Sequence, residues 1–137
     1  MNWKLLLLSV AVIAVIAIVV LIVLGKTKDG FTNPSPPDVP TFTMFFAEWC
    51  GHCKKAKPGF IEFMGNGEIQ VGSQKVKVEM VDADSDNPKL KTLPVQGYPT
   101  FLLQLPTGEV KEHKGPREAS AYLNFLNTEL GLKKDVA

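Results

Sequence analysis

The chain has only two cysteines, and both fall in the five-residue run Trp49-Cys50-Gly51-His52-Cys53. That spacing constrains the fold, because side chains three apart meet on one face only when the segment is helical, with the first cysteine at the helix N-terminus. No cysteine is left for a structural disulfide, a resolving partner elsewhere or a four-cysteine metal cage. The apolar run Phe42 to Phe46 reads as a buried strand feeding that helix. Strand, turn, dithiol and helix therefore form one unit, and its chemistry is to make, break or move disulfides. A helix N-terminus carries roughly half a positive charge and unpaired N–H groups that can bond a thiolate. Cys50 is thus expected to ionise below an ordinary thiol, with His52 and Lys54 adding positive field nearby. Stabilising the thiolate stabilises the reduced pair, so the dithiol leans towards oxidising its partners.

The remaining pattern supplies one small core. A helix is expected from Gly51 to about Met64, with Ala56, Phe60, Phe63 and Met64 on one face and Gly65-Asn66-Gly67 ending it. Val76, Val78 and Met80 alternate with polar residues, as in a half-buried strand. With only a linker before the active-site strand, this strand is expected at the edge of the sheet, and its lysines suit the blocking of unwanted pairing. Asp84-Ser85-Asp86-Asn87-Pro88 caps a short helical turn through Leu90. Phe101 to Leu105 and Glu109 to His113 form a hairpin across Pro106-Thr107-Gly108. Arg117 to about Leu130 closes the domain as an amphipathic helix with Ala121, Leu123, Phe125, Leu126 and Leu130 inward. The order is βαβαββα, an α/β arrangement large enough for one core.

At this point the residues resemble a known family. Ala47-Glu48-Trp49-Cys50-Gly51-His52-Cys53-Lys54, followed by Pro58 and then by Gly97-Tyr98-Pro99-Thr100, are similar to the active domain of protein disulfide isomerases, a branch of the thioredoxin fold. The resemblance covers Thr41 to about Leu130. It implies a short thioredoxin-like fold with a mixed four-stranded sheet and flanking helices. It also implies Cys50 and Cys53 as the catalytic pair, with Trp49, Gly51, His52 and Arg117 modulating them. Tyr98 and Pro99 would bind substrate, Pro99 being the cis proline that faces the dithiol and offers backbone to an extended client. Two departures stand out: Met44 occupies the position where the family keeps a buried acid for the second cysteine, and only a linker precedes the active-site strand. Glu48 is nearer in sequence to Cys50, but reads as a surface charge at the mouth of the site.

Residues 5 to 24 carry no charge and, as a helix, would span about 30 Å, the hydrocarbon thickness of a bilayer. A single retained membrane anchor is expected, since no small-residue cleavage pattern follows it. Residues 1–4 flank this anchor, residues 25–40 form a proline-rich extended linker and residues 41–137 form the redox domain. Trp3 sits where aromatic residues anchor membrane interfaces. Lys4 stands on one side and Lys26 and Lys28 on the other, so charge does not fix the orientation. An endoplasmic reticulum or other endomembrane with the head in the lumen is the expected location, with a virion or cell membrane as alternatives. Removing Lys4 leaves 14 basic residues against 14 acidic ones, a balance that gives no reason to expect nucleic acid as a partner. No cofactor or metal is expected: His113 reads as a structural histidine, and Cys50, His52 and Cys53 do not make a four-ligand site. The expected partners are cysteine-containing client proteins and a thiol or disulfide donor such as glutathione or another oxidoreductase. Two other functions stay open, a cytosol-facing membrane reductant and a client-holding structural protein with little turnover.

Overall fold

The computed structural model describes residues 2–25 and 36–132. The chain forms two compact units, Met1–Thr32 and Asn33–Ala137. Most of the expected linker, residues 26–35, and the tail 133–137 lie outside the described residues.

The first unit contains one helix, α1, Trp3–Gly25. Its apolar, unbroken sequence has no polar stripe to set against a soluble core. Side chains of α1 are described continuously only over 7–20, and among the described residues no helix is long and apolar enough to cross a membrane. The anchor expected over 5–24 is therefore not shown.

The second unit runs β1 (Thr41–Phe46), α2 (Gly51–Met64), β2 (Glu68–Val71), β3 (Gln74–Asp82), α3 (Lys89–Thr92), β4 (Thr100–Gln104), β5 (Val110–Glu112) and α4 (Ala119–Glu129). Its sheet has five strands in the order β2-β3-β1-β4-β5. β1 pairs parallel with β3 and antiparallel with β4, so the sheet is mixed, with β1 at its centre. Every residue of β1 is buried, as befits a strand covered on both faces. Phe42, Met44 and Phe46 face the main core with α2 and α4, while Phe45 joins Val81 and Leu102 on the opposite face beneath Leu90 and Leu93 of the α3 segment. The active-site helix keeps its expected bounds, and Gly65 ends it with a positive φ of 54°, a conformation that costs glycine little.

Two expectations are corrected. The sheet has five strands, not four: Glu68–Val71 forms β2, pairing antiparallel with β3 across a turn at Gly72, whose φ is 55°. β3 is consequently an interior strand and β2 the edge, blunted by its shortness and by the exposed Lys75–Glu68 pair at 3.2 Å. The second correction concerns α4, which starts at Ala119 and buries Tyr122 and Leu126, while Leu123 is 39% exposed. Phe125, Leu126 and Leu130 pack inward as expected, but Tyr122 takes the place expected of Leu123 because it fills a slot between Phe42, Phe60, Phe101 and His113, with ring centroids 5.2 to 5.6 Å apart. A ring of that area outweighs a leucine when one of the two must face solvent.

Candidate active site

The end of β1 delivers the chain into a tight turn, closed by the Cys50 N–H donating to the Ala47 carbonyl at 3.1 Å. Cys50 is the N-cap of α2, with extended backbone angles, and its sulfur accepts from the Cys53 N–H at 3.2 Å. A cysteine here does what serine or aspartate does at other helix starts: it satisfies one of the free N–H groups. Both cysteines are free thiols. Cys53 is 1% exposed and Cys50 8% exposed, so one sulfur is closed off in the core and the other lies at its edge.

This difference in setting separates their acidities. The Cys50 thiol is pulled down, first by hydrogen bonding with the Cys53 side chain, then by the backbone N–H groups of Cys53 and His52 and by the Arg117 charge, against partial burial. Cys53 moves the other way. Burial comes first in pushing it up to about 11, with the Cys50 sulfur adding to the rise, while the Ala47 backbone and Arg117 oppose it. The sequence expectation of a low-pKa first thiol thus has a local cause in the helix start. The group of His52 that acts on the sulfur is its backbone N–H, and its side chain is exposed.

Around the dithiol, the Tyr98–Pro99 peptide bond is cis, and the Cys50 thiol donates to the Tyr98 carbonyl at 3.5 Å. The Thr100 hydroxyl ties this loop to the Gly97 carbonyl at 2.7 Å. Trp49 is 69% exposed and meets the Tyr98 ring edge-on at 6.1 Å, forming an aromatic rim beside the sulfur. Above Gly51 the space is open: a Cβ there would meet nothing within 4 Å. Arg117 stands in the loop before α4, exposed, and its charge reaches both cysteines. Trp49, Cys50, Gly51, His52, Cys53, Tyr98, Pro99 and the field of Arg117 are therefore brought to one end of the domain.

Met44 is fully buried in the same core cluster as Cys53, and the groups that act on the Cys53 thiol include no carboxylate. Glu48 is exposed and paired with Lys57, whose ammonium also lies 4.2 Å from the centre of the Phe46 ring. His113 sits in the core, its Nε2 2.9 Å from the Pro116 carbonyl and its ring against Phe101, Tyr122 and Phe125. Among the described residues no three His, Cys, Asp or Glu side chains converge as metal ligands. The sequence reading did not single out Gln96 and Glu112, which line a recess of about 440 Å³ together with Tyr98, Pro99 and Thr100. The recess is built from two segments, 94–100 and Glu112, that are twelve residues apart at their nearest, and strand pairing brings them together.

Residues 26–128 match the thioredoxin family. The chain is 34% identical over 95 residues to protein disulfide-isomerase erp38 of Neurospora crassa, covering 69% of this chain and 25% of that protein. It is 33% identical over 117 residues to protein disulfide isomerase-like 2-2 of Oryza sativa subsp. japonica, covering 84% of this chain and 30% of the relative. It therefore spans about a quarter to a third of the length of these relatives. In fold it is similar to the first thioredoxin domain of mouse protein disulfide-isomerase A4, with a TM-score of 0.55 at 23% identity, covering 73% of this chain and 68% of that one. The J-Trx1 fragment of ERdj5 gives a TM-score of 0.56 at 18% identity, over 68% of this chain and 44% of that one. Since the family match takes in well over half of the chain, the chain belongs to the thioredoxin family.

Proposed function

We propose that this chain is a membrane-anchored thiol-disulfide oxidoreductase of isomerase type, acting on cysteine-containing client proteins. The observation that carries the reading is the asymmetric dithiol: Cys50 caps α2 with its sulfur held by the Cys53 N–H at 3.2 Å, while Cys53 is closed off beneath it. The Cys50 thiolate attacks a client disulfide, forms the mixed disulfide and releases a client thiolate. Cys53 then attacks the Cys50 sulfur, giving the Cys50–Cys53 disulfide and releasing the second client thiol. Run backwards, the same steps oxidise a client dithiol. Alternatively, another thiolate of the client attacks the mixed disulfide and leaves with a rearranged bond and no net change of oxidation state. Trp49, Tyr98 and Pro99 supply the surface on which the client lies, and Arg117 lowers both thiols. Glutathione or another oxidoreductase resets the pair, and no cofactor is required. Incubation with a scrambled-disulfide protein should restore its native activity, and the double variant C50S/C53S should not. Equal recovery with the double variant would refute the reading.

Anchoring in a membrane, with an endomembrane lumen as the compartment of the head, rests on the uncharged run 5–24 and on the continuous 23-residue backbone helix α1, about 34 Å long at 1.5 Å per residue. The full chain should stay in the membrane pellet after alkaline carbonate extraction, and a variant lacking residues 2–24 should move to the supernatant. Release of the full chain by carbonate would remove the anchor from the proposal.

A second reading, a client-holding protein with slow turnover, is favoured by one observation. Met44 lies in the same core cluster as Cys53, and among the described residues no carboxylate acts on this thiol, the one that releases the client.

A further inference from the structure

We propose that the recess beside Tyr98 selects client segments carrying a lysine or arginine close to the reacting cysteine, with Glu112 as the specificity-determining residue. The inference rests on the oxidoreductase reading and says which clients that site prefers. The recess and the reacting sulfur share Tyr98, whose carbonyl lies 3.5 Å from the Cys50 sulfur and which forms part of the recess wall. A client held by its cysteine at Cys50 thus places a neighbouring side chain within reach of this recess. Of the lining residues Pro94, Gln96, Gly97, Tyr98, Pro99, Thr100 and Glu112, only Glu112 is charged.

Strand register explains why that carboxylate is there. Glu112 pairs with Leu102 across β4 and β5, and directly paired residues share a face of the sheet. Lys111, one residue before, turns to the other face, where it meets Glu129 of α4 at 3.9 Å and Glu109 at 2.7 Å. Glu112 is left on the recess side. Among the described residues its ionic partner is Lys114 at 3.3 Å, and both side chains are exposed, so that pair is weak and open to exchange with a client cation. Polar lining from Gln96 and Thr100 can accept the remaining donors of an ammonium or guanidinium. Opposing charges stand elsewhere at this end: Arg117 acts on the thiols, and Lys54 and Lys55 are exposed on α2. Selection for a basic residue should consequently depend on position, appearing only where the client side chain enters the recess.

The test uses short peptides with one cysteine, each joined by a disulfide to the same chromogenic aromatic thiol. The Cys50 thiolate attacks the peptide sulfur, the Cys50–peptide disulfide forms, and the electron pair leaves on the chromogenic thiolate. Peptides carry Lys, Gln or Glu at one or two residues on either side of the cysteine, and each rate is divided by that of the disulfide between a small monothiol and the same chromogenic thiol. On one side of the cysteine, the full chain should react about fivefold faster with the Lys than with the Glu peptide at low salt, and less so at high salt. E112Q should shrink this ratio to near one, and E112K should invert it. Neither variant should change the rate with the Gln peptide by more than about twofold. A ratio near one in the unaltered chain, or a Lys preference that survives E112K, overturns the inference while leaving the oxidoreductase reading intact. A chain that reacts with none of the peptides overturns both.

Discussion

Cys50→Ser should abolish disulfide exchange, whereas Cys53→Ser should keep the first step and accumulate clients as mixed disulfides. A serine hydroxyl cannot form a disulfide, so the first variant loses the reaction outright. In the second, the Cys50 sulfur still lies at the edge of the core and is still held by the backbone N–H groups of Cys53 and His52, which do not depend on the Cys53 sulfur. Part of the lowering of the Cys50 thiol comes from the Cys53 side chain, so its attack should slow modestly. Release, which needs the second sulfur, should slow by on the order of a hundredfold and proceed only through external thiols. Non-reducing gels of each variant with a disulfide-bonded client read the result directly. Trapping by Cys50→Ser in place of Cys53→Ser would reverse the assigned roles.

Met44→Glu should accelerate release of the client from the mixed disulfide near neutral pH. Once Cys50 is joined to a client its thiolate is gone, and with it the Cys50 contributions that raise Cys53. Burial, the largest cause of the rise, remains. The Cys53 thiolate should therefore be scarce at pH 7, and the release rate of the unaltered chain should climb with pH from 6 to 9, since burial still holds the thiol up. A carboxylate at position 44, in the same core cluster as Cys53, can accept the proton in the transition state. The expected gain is about tenfold or more at pH 7, with a flatter pH profile. Arg117→Ala should act in the opposite sense, because its charge lowers Cys53. Stopped-flow release from a preformed mixed disulfide measures this step, and the rate of first attack by Cys50 serves as the control. Burying a neutral polar group without a partner costs roughly 1 to 3 kcal/mol and an ionised carboxylate far more, so a thermal melt must show that the variant is folded at the assay temperature. A folded Met44→Glu chain with an unchanged release rate would show that a base at position 44 does not assist release.

The strand–dithiol–helix unit was legible because three independent signals coincide there: an apolar run, a cysteine at the helix start and a glycine at the helix end. Gly51–Met64 accordingly stands where the sequence placed it. β2 was not legible, because Glu68-Ile69-Gln70-Val71 is only four residues long and buries Val71 alone. Its partner β3 was therefore read as an edge, although its true exposure is set by a hairpin that alternation over so few residues does not reveal. In α4 the helix and the inward Phe125, Leu126 and Leu130 were readable, but Leu123 was placed inward where Tyr122 stands. Leucine and tyrosine compete there, and the outcome depends on an aromatic slot built by Phe42, Phe60 and Phe101 from three distant elements. Glu112 escaped notice for the same reason. Its neighbours across the recess lie on another strand and a loop, and nothing local to Lys111-Glu112-His113 distinguishes it from a surface charge. The cysteines, Trp49, Tyr98 and Pro99 were visible because their chemistry is local or carried by a motif.

The central claim is that two thiols three residues apart differ in both access and acidity. Alkylation by iodoacetamide under reducing conditions, followed by mass mapping of each cysteine from pH 5 to 9, measures this most directly. Cys50 should be labelled first at every pH, with its rate rising to a plateau below the ordinary thiol range, while Cys53 stays largely unlabelled to pH 9. Labelling of Cys53 before Cys50, or equal labelling of both with one ordinary thiol titration, would contradict the account.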